Sequence, residues 1–497
     1  MTFILDTLKF LGILFCVLLV FNFIIIVHEW GHFLAARWRG LKIEKFQIWM
    51  GKPIWKRTWN GVQYGLGTIP LGGFVQLPQM APMGSIEGRT DCTEPLPPIK
   101  PLDKIIVAFA GPLFSLLLAF AFACAVSLAG KPVKPEENTT TIGYTVPGMP
   151  ASAPGNLKAG DTILEIDGKP IHRFFGLTKS VMWATASGSN DDVIFKIQRP
   201  GEPEPRTVTV HAPWKESAKY KEWENNTSWF TRLHSRPPLR QVGIQSSMAL
   251  KVKEVMDYSP AKEAGLQKGD VITTINGEPC YNPLYVEMLG EKKSGETIAL
   301  TLQRGDAVVE TKLTPRNPDT PKDAKEYGTH TGIVFEVLNP TAREYDYPSP
   351  FTFVGDCFRN TFDTFAALLA PRSSIGVGQM SGPVGIMNLY YNIFQHPDWW
   401  RLVLWFSVVL NVGLAIFNML PLPVLDGGHI TLALLEMIRG KAIGTRLLEY
   451  VQLVCVLGLF SFVIFVTFKD VGGIFGGGGD KPEPEAYLPK PPAAATP

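Results

Sequence analysis

Long apolar runs alternate along the chain with mixed, turn-rich stretches. Four runs without charge are long enough, or nearly so, to span a bilayer: Phe10–Val27 continuing through a polar cluster, Ile105–Gly130, Leu402–Leu425 and Tyr450–Phe468. In hydrocarbon such a run satisfies its backbone only as a helix. The first run is too long for a cleavable signal peptide and lacks a small-x-small exit. Between the second and third runs the pattern shortens to alternating segments bounded by Gly, Asn, Asp and Pro, which predicts α+β modules.

That middle region repeats itself. Leu157–Pro170 (LKAGDTILEIDGKP) matches Leu266–Pro279 (LQKGDVITTINGEP) at one fixed offset, and Pro150-Ala151 answers Pro260-Ala261. Each copy reads as a short helix, a Gly-Asp turn, an alternating strand and an Asp-Gly or Asn-Gly turn. The pattern resembles the PDZ domain in both copies, near 140–212 and 241–316. Residues 213–240 between them are charged and aromatic, with no evident fold. Modules of this type bind extended chain ends by strand addition, so a peptide or C-terminus is the implied ligand, and a purely steric spacer is the alternative.

Other stretches carry weaker signals. Gly61–Val75, which includes Gly72, Gly73 and Phe74, reads as a hairpin beside the first span and could offer an edge strand to an extended substrate; an ordinary interfacial hairpin is the alternative. Residues 80–101 are proline-rich loop. Phe351, Phe358, Phe362 and Phe365 share a helical face suited to a membrane surface. Residues 376–385 are too glycine-rich for a helix and suggest a re-entrant turn, giving a unit over 350–390. The Gly- and Pro-rich 469–497 is expected to be disordered.

The fold class is therefore a multi-pass α-helical membrane protein of about four transmembrane helices (residues 1–130 and 400–468) with two PDZ-like α+β modules. Charge sets its direction. Arg37, Arg39, Lys42, Lys45, Lys52, Lys56 and Arg57 follow the first span and only Lys9 precedes it, so this loop is expected in the cytoplasm. Residues 131–401 then lie outside, which in a bacterial inner membrane is the periplasm. Arg439, Lys441 and Arg446 fall inside again, in agreement. Mean hydropathy is only +0.10, as such alternation requires. A net charge of +2 gives no footprint for nucleic acid. The six cysteines are scattered without a CxxC, against a disulfide framework or cysteine metal site.

The candidate chemistry lies at the end of the first run, in His28-Glu29-Trp30-Gly31-His32. Histidines four apart on a helix share a face one turn apart, the spacing that grips zinc, and Glu29 between them is placed to take a proton from water. Ionisable side chains in a membrane helix cost about 2.5–3.5 kcal/mol each and ask for a functional reason. A buried histidine pair bonded to neighbouring helices is the bland alternative. At ~1.5 Å per residue, His32 and His28 sit ~7 and ~13 Å below the cytoplasmic charges. Catalytic zinc needs a third protein ligand. Asp426, after two helix-breaking prolines in Asn418–His429 (NMLPLPVLDGGH), falls at that depth; His429 competes but lies further toward the cytosol.

HEWGH, Gly111-Pro112 in the second span, the paired modules, Ser381–Gly385 (SGPVG) and the NMLPLPVLDGGH segment together resemble the site-2 protease family of intramembrane zinc metalloproteases. The resemblance implies that His28, His32 and Asp426 bind Zn2+, that Glu29 is the general base and that Asn418 contacts substrate backbone. It implies as substrate the transmembrane helix of a single-pass regulator, such as an anti-sigma factor, already trimmed on its outer side. Two positions depart from the family pattern: Ser115 stands where GPxxN has asparagine, and Gly413 where a second asparagine is usual; both bear on substrate handling. The alternatives are an inactive scaffold acting through its modules and a metal transporter, the latter lacking polar residues spread over several spans.

Overall fold

The computed structural model describes residues 2–80, 99–134, 137–176, 179–317, 330–336, 344–370, 372–440 and 445–475. Most of the proline-rich 80–101 stretch and the tail beyond 475 lie outside the described residues. Among those described, four helices are long and apolar enough to cross a membrane: Thr7–Trp38, Pro101–Ala129, Trp399–Asn418 and Tyr450–Gly472. The first belongs to helix α1 (Thr2–Trp38) and the second is α2 (Pro101–Ala129). One face of α2 carries Val107, Gly111, Ser115, Ala119 and Ala123 at four-residue spacing, all buried. Small side chains let helices approach closely in lipid. α1 uses the same device: a Cβ on Gly31 would fall 2.4 Å from the Ala110 carbonyl oxygen. Pro112 is accommodated inside an unbroken α2.

Between these helices lies a sheet of β1 (Lys45–Met50), β2 (Trp55–Trp59), β3 (Val62–Leu66) and β4 (Ile69–Gln76), in the order β2-β3-β1-β4. The hairpin expected over Gly61–Val75 is therefore not formed. β3 and β4 flank β1, parallel and antiparallel to it, and the true hairpin is β2–β3. Asn60 and Gly61, both at positive φ, suit its two-residue turn. β4 is an edge strand packed along α1. The Trp49 indole, just past its pairing with β4, donates to Asn22 Oδ1 at 2.6 Å. Asn22 precedes His28 by six residues, so the sheet reaches ~9 Å further along α1 than the histidines.

The middle region forms two units of one topology. The first orders β10 (Arg206–His211), β9 (Asp192–Gln198), β7 (Thr162–Ile166) and β8 (Lys169–Pro170). The second orders β16 (Ala307–Leu313), β15 (Ile298–Arg304), β13 (Val271–Ile275) and β14 (Glu278–Pro279). Each adds a two-stranded pair, β6 (Ile142–Thr145) with β11 (Ile244–Ser246) and β12 (Val252–Val255) with β17 (Ile333–Phe335). β11, which the boundary at 241 assigns to the second copy, thus completes the first, because Val242 and Ile244 join that core. A short helix lies in each, α3 (Val181–Ser187) and α7 (Pro283–Lys292). The Gly-Asp turns match in detail: Asp161 accepts the Lys158 N–H and a two-nitrogen fork from Arg199, and Asp270 the Gln267 N–H and a fork from Arg304.

The connecting segment folds as α4 (Ala218–Asn226) and α5 (Trp229–His234), capped by Ser217 and Ser228, and α6 (Pro260–Glu263) follows β12 in the second unit. α8 (Pro350–Leu369) lies on α2 and on α10 (Trp399–Asn418). The four phenylalanines divide: Phe358 and Phe365 turn into this contact while Phe351 and Phe362 stay exposed. The glycine-rich segment is partly helical. α9 (Pro383–Gln395) begins inside it, and its Gly382 and Gly385 N–H groups donate to Asp470 Oδ2 at 2.9 and 2.7 Å. Asp470 lies on α12 (Thr445–Phe475), which continues past the expected helix end at 468, and its other oxygen accepts Arg236 at 2.8 Å. Lys469 donates to the Arg232 and Ser235 carbonyls. α11 (Asp426–Arg439) completes the helices and meets α2 through a Lys104–Glu436 ion pair of 2.7 Å.

Candidate metal centre and active site

The last turns of α1, the middle of α2 and the α10–α11 turn converge on one point. His28 and His32, one turn apart on α1, bring their Nε2 atoms to 3.3 Å. Asp426, the first residue of α11, sets Oδ2 3.3 Å from His28 and Oδ1 3.3 Å from His32. Among the described residues these three form the group able to hold a metal ion, with ligand atoms all within 4.8 Å of one another. His429, the competing ligand, is outside it.

The donor set fits zinc. Ligands about 2.0–2.1 Å from a tetrahedral ion are separated by about 3.3 Å, the spacing found between the two Nε2 atoms and from each Nε2 to an Asp426 oxygen, a different one for each histidine. His32 Nδ1 lies 2.8 Å from the Val107 carbonyl, which only accepts, so Nδ1 carries the proton and Nε2 presents a lone pair. His28 Nδ1 lies 3.0 Å from Ser115 Oγ, a hydroxyl able to accept in the same way. Two imidazole Nε2 atoms and a carboxylate therefore face one another, a donor set that a divalent cation can share.

Close packing sets these positions. Gly111 lies against the imidazoles, where a Cβ would come 2.2 Å from His32 Nε2. Gly427 and Gly428, which follow Asp426, are not a flexible joint. They are the first turn of α11 seated on the preceding turn, where a Cβ would fall 2.2 Å from the Met419 oxygen and 2.0 Å from the Leu422 oxygen. Both hold Asp426 at fixed depth. Asn418, the last residue of α10, stands with Nδ2 3.3 Å from His28 Nε2 and so borders the centre. Glu29 is half-buried beside β4: a Cβ on Gly73 would meet Glu29 Cγ at 3.6 Å. Gly73 and Phe74 pair with Ile48 and Gln47 of β1. Gly72 sits apart, its positive φ marking the irregular register near Met50.

Gly111-Pro112 suggests a loosened helix open to close approach by another, and the close approach is what Gly111 provides; Ser115 reads only as a departure. The four-residue stripe Val107–Gly111–Ser115 was the available signal: a carbonyl, a gap and a hydroxyl at one spacing, facing a histidine pair of the same spacing. Gly413, the other departure, has open space around it, and Asn411 bonds the Ser407 carbonyl of its own helix.

The profile of Peptidase family M50 matches residues 16–462. The chain belongs to that family. Relatives along almost the whole length include the regulator of sigma E protease of Haemophilus influenzae, 25% identical over 475 residues, covering 89% of this chain and 95% of that protein. A protein described as a putative zinc metalloprotease from Xylella fastidiosa is 24% identical over 474 residues, covering 92% and 98%. Among solved structures, the PDZ domain of the SdrC-like protein of Listeria monocytogenes matches at 25% identity, covering 17% of this chain and 85% of that one, with a TM-score of 0.15. As an M50 member the chain is a membrane zinc metalloendopeptidase of regulated intramembrane proteolysis.

Proposed function

We propose that this peptidase cuts a peptide bond within the transmembrane segment of a single-pass membrane protein, such as an anti-sigma factor already trimmed on its outer side. His28, His32 and Asp426 hold the zinc, whose chemistry is Lewis acidity at the scissile carbonyl. Glu29 is the general base: it takes a proton from the attacking water as the C–O bond forms and delivers it to the amide nitrogen as the C–N bond breaks. The observation that carries the reading is the meeting of His28, His32 and Asp426 through 3.3 Å contacts, with Nδ1 of each histidine engaged elsewhere.

A peptide bond inside an intact helix is shielded and its carbonyl already bonded. The free edge of β4, running beside Glu29, supports a mode in which the substrate unwinds and adds as a strand, with Gly73 and Phe74 under it and Asn418 at its backbone. Gly72 acts by shaping that edge. The two outer units are PDZ-like modules on the periplasmic side of an inner membrane, a placement supported by the loop charges, and they take a peptide or chain end or exclude large substrates.

Glu29→Gln keeps the side chain's shape and removes the base. The zinc-loaded variant should bind a membrane-inserted test helix and cut it some 10²–10⁴-fold more slowly. Full cleavage by that variant would end the assignment of Glu29, and a scaffold would be indifferent to the change.

A further inference from the structure

Toward the C-terminal end of α1, a groove of about 640 Å³ opens between the helix and the sheet, and none of His28, His32 and Asp426 lines it. Its walls are aromatic: Trp30 and Phe33 from α1, Phe46, Trp55, Trp59 and Tyr64 from the strands. Trp30, Trp55 and Trp59 are each more than half exposed. Two guanidinium groups, Arg37 and Arg57, stand in the same groove, both exposed and neither with an ion-pair partner among the described residues. On the other side of Leu34 lies a second groove of about 360 Å³ between α1 and α2, lined by Trp38, Ile106, Phe109 and Leu113. Leu34 borders both.

We propose that these two grooves together bind one anionic phospholipid of the cytoplasmic leaflet, its phosphate between Arg37 and Arg57 and an acyl chain on either side of Leu34. The leaflet rests on the orientation proposed above; the binding does not rest on the catalytic reading. Depth supports the occupant. From Arg37 to Trp30 is seven residues, ~10 Å along α1, so the groove runs from charged rim to apolar floor over the distance from a headgroup to the upper acyl carbons. Charge selects it. Unpaired arginines at a membrane surface attract anionic headgroups and leave zwitterionic ones without net attraction, while tryptophan and tyrosine favour that boundary. Two apolar channels around one shared leucine match a diacyl lipid better than a single extended peptide.

The test uses the full-length zinc-loaded protein, stripped of lipid in detergent and titrated with dioleoyl phosphatidylglycerol or dioleoyl phosphatidylcholine, with bound lipid counted by native mass spectrometry. One phosphatidylglycerol should be retained preferentially. Arg37→Gln and Arg57→Gln should each weaken it about fivefold and together roughly 25-fold. Zinc content should stay unchanged, and Lys158→Gln with Lys268→Gln on the outer units should have no effect. Equal retention of the two lipids, or an undiminished preference in the double variant, overturns the proposal. An acidic peptide that displaces phosphatidylglycerol from the same groove with higher affinity would make it a substrate channel and overturn it too.

Discussion

The two units of the middle region and the candidate metal centre each enclose an aspartate, and they treat it oppositely. Asp161 and Asp270 are almost wholly enclosed, and each receives an arginine fork and a backbone N–H, so every strong acceptor position is met from within the chain. The Arg304 fork outweighs burial and holds the Asp270 carboxyl below the usual carboxylate range. Asp426 faces the Nε2 atoms of two histidines whose Nδ1 atoms lie against Ser115 and Val107. A carboxylate answered by an arginine fork is architecture, whereas one grouped with two imidazole nitrogens is a set of donors that a cation can share.

The largest effect should follow from deleting the unanswered aspartate. Asp426→Ala removes one of three donors, and the purified protein should lose nearly all its zinc and its cleavage activity; elemental analysis checks this, and retained zinc would make the triangle accidental. Gly111→Ala should act almost as strongly although it removes no ligand, because its Cβ must displace His32 Nε2. Normal zinc in that variant would mean that the close approach is not needed.

Asp161→Ala sharpens the other side of the comparison. It leaves Arg199 without its partner and should cost the first unit about 3 kcal/mol, seen as roughly 100-fold faster hydrogen exchange in β7 and β9 with zinc unaffected. For the second unit the pH dependence has a definite sign. Because the folded Asp270 carboxyl is lowered, its contribution is complete above the unfolded value of about 3.9 and fades as pH falls through the folded one. The protection of β13 and β15, corrected for the intrinsic pH dependence of amide exchange, should fall on acidification through that window, and Asp270→Asn should flatten the response.

The smallest effect is expected at Ser115. Ser115→Ala removes the group bonded to His28 Nδ1 and should weaken zinc binding by roughly 10–100-fold, measured by competition with a chelator, with Ser115→Asn restoring part of it. An unchanged affinity would reduce the hydroxyl to packing.

What could be read from the sequence was local. His28 and His32 declare themselves by helical spacing, the spans by length, and the repeat by its Gly-Asp and Asp-Gly turns. What could not be read depended on pairing over distance. Ser115 lies 87 residues from His28, and its meaning exists only once α2 faces α1. The hairpin expectation over Gly61–Val75 failed because β1, supplied from upstream, inserts between β3 and β4; neither turn residues nor alternation encodes that choice. The glycines after Asp426 permit contact, and a sequence cannot distinguish a missing side chain that loosens a chain from one that lets two backbones touch.

The cluster around Lys469 and Asp470 has a mechanical meaning. Both side chains are almost fully enclosed, and their partners come from the segment joining the two outer units and from the start of α9. Peeling that segment from the end of α12 would strand the lysine and take the arginine from the aspartate, at a cost of several kcal/mol. The joint between the units is thus riveted to the end of the last long helix, and its distance from that helix is a built dimension, a spacer bar rather than a swinging gate.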